Sequence, residues 1–195
     1  LEASAWNRLQ VALAAPTLAT DFDRLLATSE FFRDQFIRHR DWALTELEAG
    51  RLFRCSDLEG ESWEDTLSQL VLDNASEDAV MSALRVFRNR QMLKIVAGEL
   101  SGRVTLSETF QALTQLADIT IQFSVRWATA KLSQRCGHPV GEWSGEPQEL
   151  VVLGMGKLGG GELNLSSDID LIFSYPEAGE TQGGKKTLSN QEFFI

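Results

Sequence analysis

The sequence predicts an α+β chain, mainly helical over residues 1–147, with a strand-containing core opening over 148–195. Three observations carry this. Apolar residues recur at helical spacing from about Thr20 to Gly137. Glycine and proline become frequent after Gly137. Two short β-like runs, Leu150–Leu153 and Ile169–Tyr175, then flank a stretch with five glycines in eight residues.

The helices follow in order. Shorter ones are expected at Phe22–Leu26, Phe31–Leu47 and Trp63–Leu72. The acidic patch of Asp57, Glu59, Glu61, Glu64 and Asp65 reads as a solvated loop leading into a helix start. A long helix opens at Ser76, with Glu77 and Asp78 favoured by the positive end of the helix dipole. Its buried side is marked by Val80, Leu84, Phe87 and Ile95. A second long helix opens at Thr105, which forms a capping box with Glu108. Leu106, Phe110, Leu113, Ala117, Ile121, Val125, Ala128 and Leu132 make one buried stripe. Gly137 and Pro139 end that helix. The stretch GHPVGEWSGEPQE then reads as a linker, and PEAGETQGGKKTLSN as turn. Ser189 and Glu192 have capping-box spacing before QEFFI, an apolar helix start only one turn long. With no initial methionine, this reads as a fragment of a longer polypeptide.

Composition narrows the function classes. A net charge of −10 argues against a long nucleic-acid track, which needs clustered Lys and Arg. A small phosphate-bearing ligand needs only a few donors. No run of 18 apolar residues exists, so no membrane span is expected. Cys55 and Cys136 lie far apart, and a reducing cytoplasm is the default. Cys136 and His138 are half a zinc site with no second pair.

The chemistry concentrates in VVLGMGKLGGGELNLSSDIDLIFSY, Val151–Tyr175. Gly154, Gly156 and Gly159 spell G-x-G-x-x-G, a dinucleotide pattern. Only six residues separate Gly161 from Asp168, however, too few for the crossover that parallel strands need. A metal site fits better. On an extended segment Asp168 and Asp170 share one face, with Ile169 and Leu171 turned to the core. Two carboxylates roughly 5 Å apart repel by roughly 3 kcal/mol at an effective dielectric near 20. A divalent cation between them reverses that sign, and carboxylate and phosphate oxygens are ligands that Mg²⁺ prefers. The glycine turn lets backbone N–H groups approach phosphate closely. Lys157 adds a charge there, and Ser166 or Ser167 a hydroxyl. Among Arg85, Arg88, Arg90 and Lys94, Arg88 or Arg90 is the candidate for phosphate, although such a cluster is also an ordinary solvated helix face.

Met155-Gly156-Lys157, ten residues, then Asp168-Ile169-Asp170-Leu171 resembles the signature of the DNA-polymerase-β-like nucleotidyltransferases. Lys157 departs from it, where that superfamily usually has Ser or Gly. The departure is similar to the family of bifunctional glutamine synthetase adenylyltransferase/adenylyl-removing enzymes, which carry G-x-G-K-x-G-x-x-E-x-x-x-x-S-D-x-D. Here those positions are Gly154, Gly156, Lys157, Gly159, Glu162, Ser167, Asp168 and Asp170. Pro176, Gly179, Thr181, Gln182, Gly183 and Gly184 match the continuation of the adenylyl-removing half, and ALRVFRNRQMLKI resembles what precedes it.

The resemblance implies a nucleotidyltransferase core with a small mixed sheet. It implies phosphorolysis of tyrosyl-AMP on adenylylated glutamine synthetase, giving ADP. Asp168 and Asp170 are then the metal ligands for Mg²⁺ or Mn²⁺, with ADP or ATP and phosphate as substrates or products. The PII signal protein and glutamine are the implied regulators. A third metal carboxylate is expected beyond Ile195, so the 195 residues alone are expected to be inactive. Two other readings stay open: another metal-dependent nucleotidyltransferase, and a non-catalytic module that docks a partner.

Overall fold

The computed structural model describes residues 3–54, 62–71 and 75–195. It is mostly helical with short strands, the α+β class expected. By backbone contacts the chain divides into two compact units, 1–116 with 163–165, and 117–162 with 166–195. The division falls inside a helix, not at 147/148.

The first unit is helical. It contains α1 (Ala3–Ala12), α2 (Pro16–Thr28), α3 (Glu30–Arg38), α4 (Arg40–Glu48), α5 (Trp63–Leu70) and α6 (Glu77–Leu100). The single helix expected over Phe31–Leu47 is two, because His39 sits at φ −111°, ψ 28° and breaks the ladder. The apolar spacing runs on across that break, so it left no trace in the pattern. Ser29 caps α3 through the Phe32 N–H, and Ser76 caps α6 through the Ala79 N–H. Val80, Phe87 and Ile95 are buried on α6 as expected, while Leu84 is half-buried. Asp57, Glu59, Glu61, Cys55 and Leu72 lie outside the described residues. Glu64 and Asp65 occupy the first turn of α5.

Phe22, Phe32 and Phe36 centre the core, with ring centroids 5.1–5.8 Å apart, among Leu25, Leu44, Leu47, Leu52, Leu93 and Val96. Beside it lies a buried carboxylate. Glu46 accepts from Arg51 Nη2 at 2.6 Å and from Lys94 Nζ at 3.3 Å. Burial alone would raise this carboxyl, but the Arg51 hydrogen bond and the Lys94 and Arg51 charges outweigh it and hold it below the usual glutamate range. A depressed folded value means that the contribution is complete above the unfolded value and is lost as pH falls through the folded one. Glu46→Gln is therefore expected to cost about 1–3 kcal/mol near neutrality. In denaturant titrations the gap between variant and parent should close as the pH falls below the usual glutamate range.

Helix α7 (Leu106–Cys136) begins with the expected capping box. The Glu108 carboxylate accepts from Thr105 N–H at 2.7 Å, and Thr105 Oγ1 accepts from Glu108 N–H at 3.3 Å. The buried stripe is shorter than expected. Thr109, Ala112, Leu113, Leu116 and Ile119 are buried, whereas Leu106 and Ala128 are exposed.

The second unit holds four strands in two antiparallel pairs, where one mixed sheet was expected. β1 (Gly137–Gly141) pairs with β4 (Gly179–Gly183), and β2 (Val151–Gly154) pairs with β3 (Leu171–Ser174). β1 occupies the stretch read as a linker. Its glycines serve close backbone approach: Gly137 has φ +79°, and a Cβ there would run into the Gln182 carbonyl. The one-turn helices α8 (Gly156–Gly159) and α9 (Asn190–Phe194) complete the unit, α9 with its Ser189–Glu192 capping box. Asn190 is wholly buried and donates both amide hydrogens, to the carbonyls of Val140 (3.1 Å) and Glu177 (3.0 Å). Cys136 is buried and free, and His138 is exposed. No helix among the described residues is long and apolar enough to cross a membrane.

Candidate functional site

β2 runs into the glycine turn, and β3 leads away from the aspartates. Their antiparallel register joins Gly154 to Leu171, and one step further the Met155 N–H donates to the Asp170 carbonyl at 2.9 Å. The chain from Met155 to Asp170 thus returns to its own start. This pairing excludes the dinucleotide fold, which needs parallel strands around a full helix. Only the single turn of α8 follows β2.

The turn itself is built by packing. Leu158 is buried and folds over Gly154, and Gly159 passes so close to the Gly154 carbonyl that a Cβ could not fit. Gly159 N–H donates to the Met155 carbonyl and Gly160 N–H to the Gly156 carbonyl. The N–H groups of Gly156, Lys157 and Leu158 form the first turn, where a helix supplies no acceptor of its own. Space is open off Gly156 and Gly161.

Asp168 and Asp170 are both exposed, immediately before β3. Ile169, expected in the core, is 41% exposed. Ile172 and Phe173, inside the paired strand, are at least as exposed, so the exposure belongs to the β2–β3 pair as a whole. Leu171 is half-buried. Lys157 is exposed on α8, Ser166 is exposed and Ser167 half-buried. Among the described residues no group of three or more His, Cys, Asp or Glu side chains clusters. Asp168 and Asp170 offer hard oxygen donors of the kind that suit Mg²⁺ or Mn²⁺. By donor chemistry this carboxylate pair could hold a divalent ion.

The basic cluster on α6 separates into two roles. Arg90 is half-buried with its guanidinium 5.3 Å from the Trp42 ring centre, and Lys94 is paired with Glu46. Both make contacts inside the helical unit. Arg85 and Arg88 are exposed.

A cleft of about 350 Å³ is lined by Asp118, Gln122 and Arg126 of α7, by Val152 of β2, and by Gly154 and Leu158 of the glycine turn, among others. Burial pushes the Asp118 carboxyl above the usual aspartate range. Asp118, Gln122 and Arg126 recur at steps of four, one helix face, so this polar row was legible in the sequence although the apolar stripe drew the reading elsewhere.

Comparison with known proteins shows the family. The chain is 47% identical over 174 residues to a bifunctional glutamine synthetase adenylyltransferase/adenylyl-removing enzyme of Pseudomonas aeruginosa, covering 89% of this chain and 18% of that protein. It is 42% identical to the Nitrosococcus oceani protein of the same name over 194 residues, all of this chain and 20% of the relative. A Pseudomonas putida relative is 40% identical over 197 residues, again all of this chain and 19% of that protein. The chain therefore spans about a fifth of the length of these relatives. The family profile for glutamate-ammonia ligase adenylyltransferase matches residues 19–195, and the chain belongs to that family.

Proposed function

We propose that the chain carries the phosphate turn and two metal-binding carboxylates of an adenylyl-removing site acting on adenylylated glutamine synthetase. The observation that carries the reading is the Met155–Asp170 backbone bond, which closes the glycine turn against the aspartate segment. In the reaction an oxygen of inorganic phosphate forms a bond to the AMP phosphorus. The bond from that phosphorus to the tyrosine oxygen breaks, the tyrosine oxygen takes up a proton, and ADP leaves.

Gly154, Gly156 and Gly159 shape the turn so that first-turn N–H groups face phosphate oxygens, with Lys157 adding charge and Ser166 and Ser167 hydroxyls nearby. Asp168 and Asp170 hold the divalent ions, which when bound neutralise the phosphoryl and leaving oxygens. The PII signal protein and glutamine are the regulators in this reading, and the reaction is cytoplasmic.

Phosphate-dependent ADP release from adenylylated glutamine synthetase, measured with the full-length protein, tests it. Release that requires both phosphate and Mg²⁺ or Mn²⁺ is expected. Release that continues unchanged in chelator, or no release at all, refutes it.

A further inference from the structure

The loop between β1 and β2 displays Trp143, 88% exposed, in a run of six exposed residues from Glu142 to Pro147. An indole in water is unfavourable, and a mobile loop could fold it away. This loop is not free. The Glu177 carboxylate, 33 and 34 residues away in sequence, accepts from Trp143 N–H, Ser144 N–H (2.9 Å) and Ser144 Oγ (2.6 Å). Those hydrogen bonds hold its pKa below the usual glutamate range, with the Ser144 hydroxyl foremost. Gly145 N–H donates to the Gly141 carbonyl, Gly141 N–H to the Glu146 carbonyl, and Glu146 N–H to Ser144 Oγ. Gln148 ties the base of the loop to Pro139. Asn190 in turn holds the Glu177 backbone. The fold fixes a tryptophan outward.

Tryptophan is among the side chains that most often dominate a protein interface, and here the main chain that carries it is already ordered, so little backbone freedom is left to lose on binding. Its neighbours state the partner's chemistry. Glu142 and Glu146 flank it, both exposed, and Glu149 follows. Carboxylates beside an indole face favour a guanidinium or ammonium, which stacks on the ring and pairs with the acids. A second copy of this chain, at net charge −10, is disfavoured.

We infer that the Trp143 loop is a docking knob for the protein substrate, and that it enters an apolar slot rimmed by Arg or Lys on adenylylated glutamine synthetase. The inference rests on the proposed reading that the adenylyl group is carried by a protein. Such a substrate must be gripped away from its reacting tyrosine, and the loop leads into β2, the strand that delivers the glycine turn.

The test uses the full-length protein and purified adenylylated glutamine synthetase. Trp143→Ala keeps the main-chain N–H that Glu177 binds, so the loop is retained. It is expected to weaken binding by roughly ten-fold or more, with turnover of a short adenylylated tyrosine peptide unchanged. Glu142→Gln with Glu146→Gln should flatten the salt dependence of binding. Hydroxyl-radical footprinting should show Trp143 oxidised in the enzyme alone and shielded in the complex. Equal affinity of parent and Trp143→Ala, no binding by the parent, or a Trp143 already shielded by its own polypeptide would each overturn the inference. Absence of phosphate-dependent ADP release from adenylylated glutamine synthetase by the parent would instead strike the phosphorolysis reading.

Discussion

Asp168→Asn and Asp170→Asn, singly or together, are expected to abolish phosphate-dependent ADP release by the full-length protein while leaving its melting temperature within about 2 °C of the parent. The stability half follows from position. Both side chains are exposed, and the backbone bond between Met155 and Asp170 uses the Asp170 carbonyl, which asparagine retains. The activity half follows from charge. An amide offers an oxygen of nearly the same size but no net charge, so cation affinity falls and the phosphoryl oxygens lose their neutralising partner. A loss of roughly 10³-fold or more is the scale for removing electrostatic stabilisation from a phosphoryl-transfer site. Calorimetry separates the causes: Mn²⁺ with ADP should bind the parent and not the double variant. Full turnover by the double variant would end the two-carboxylate reading.

Phe32→Ala is expected to cost about 3–5 kcal/mol, the range for deleting a buried aromatic ring. Phe32 is fully buried and touches both other members of the ring cluster, edge-on to Phe22 at 5.7 Å and stacked on Phe36 at 5.8 Å. Removing it leaves a ring-sized void in a cluster built from side chains of α1, α2, α3, α4 and α6, which cannot all move inward together. With total stabilities of about 5–15 kcal/mol usual for a domain, this single change consumes a large share. The melting temperature should fall by about 6–20 °C. Phe32→Leu, which keeps most of the volume, should recover over half of the loss in the same denaturation series.

What was legible in the sequence was local. The Ser76 cap, the Thr105–Glu108 and Ser189–Glu192 boxes and the end of α7 at Gly137 each depend on residues within a few positions, and each stands where the pattern placed it. The glycine turn was equally readable, since its spacing to Asp168 ruled out a crossover helix. What escaped was long-range. β1 and β4 pair through glycines that touch backbone to backbone, so neither shows the apolar alternation that marks a strand. The break at His39 turns on one residue's dihedral angles, in a stretch whose apolar spacing suits a continuous helix. Glu177 gave no signal, because the hydrogens it accepts lie more than thirty residues earlier.

Asn190 shows how narrow such a position becomes. Its side chain answers two carbonyl oxygens that belong to different stretches of chain, so the amide acts as a bolt thrown through both. Leucine matches it in bulk and offers nothing to either oxygen. Aspartate differs by a single atom and would set negative charge against two lone pairs. Volume and polarity sense are thus selected independently at one site, and no other side chain of that size meets both demands.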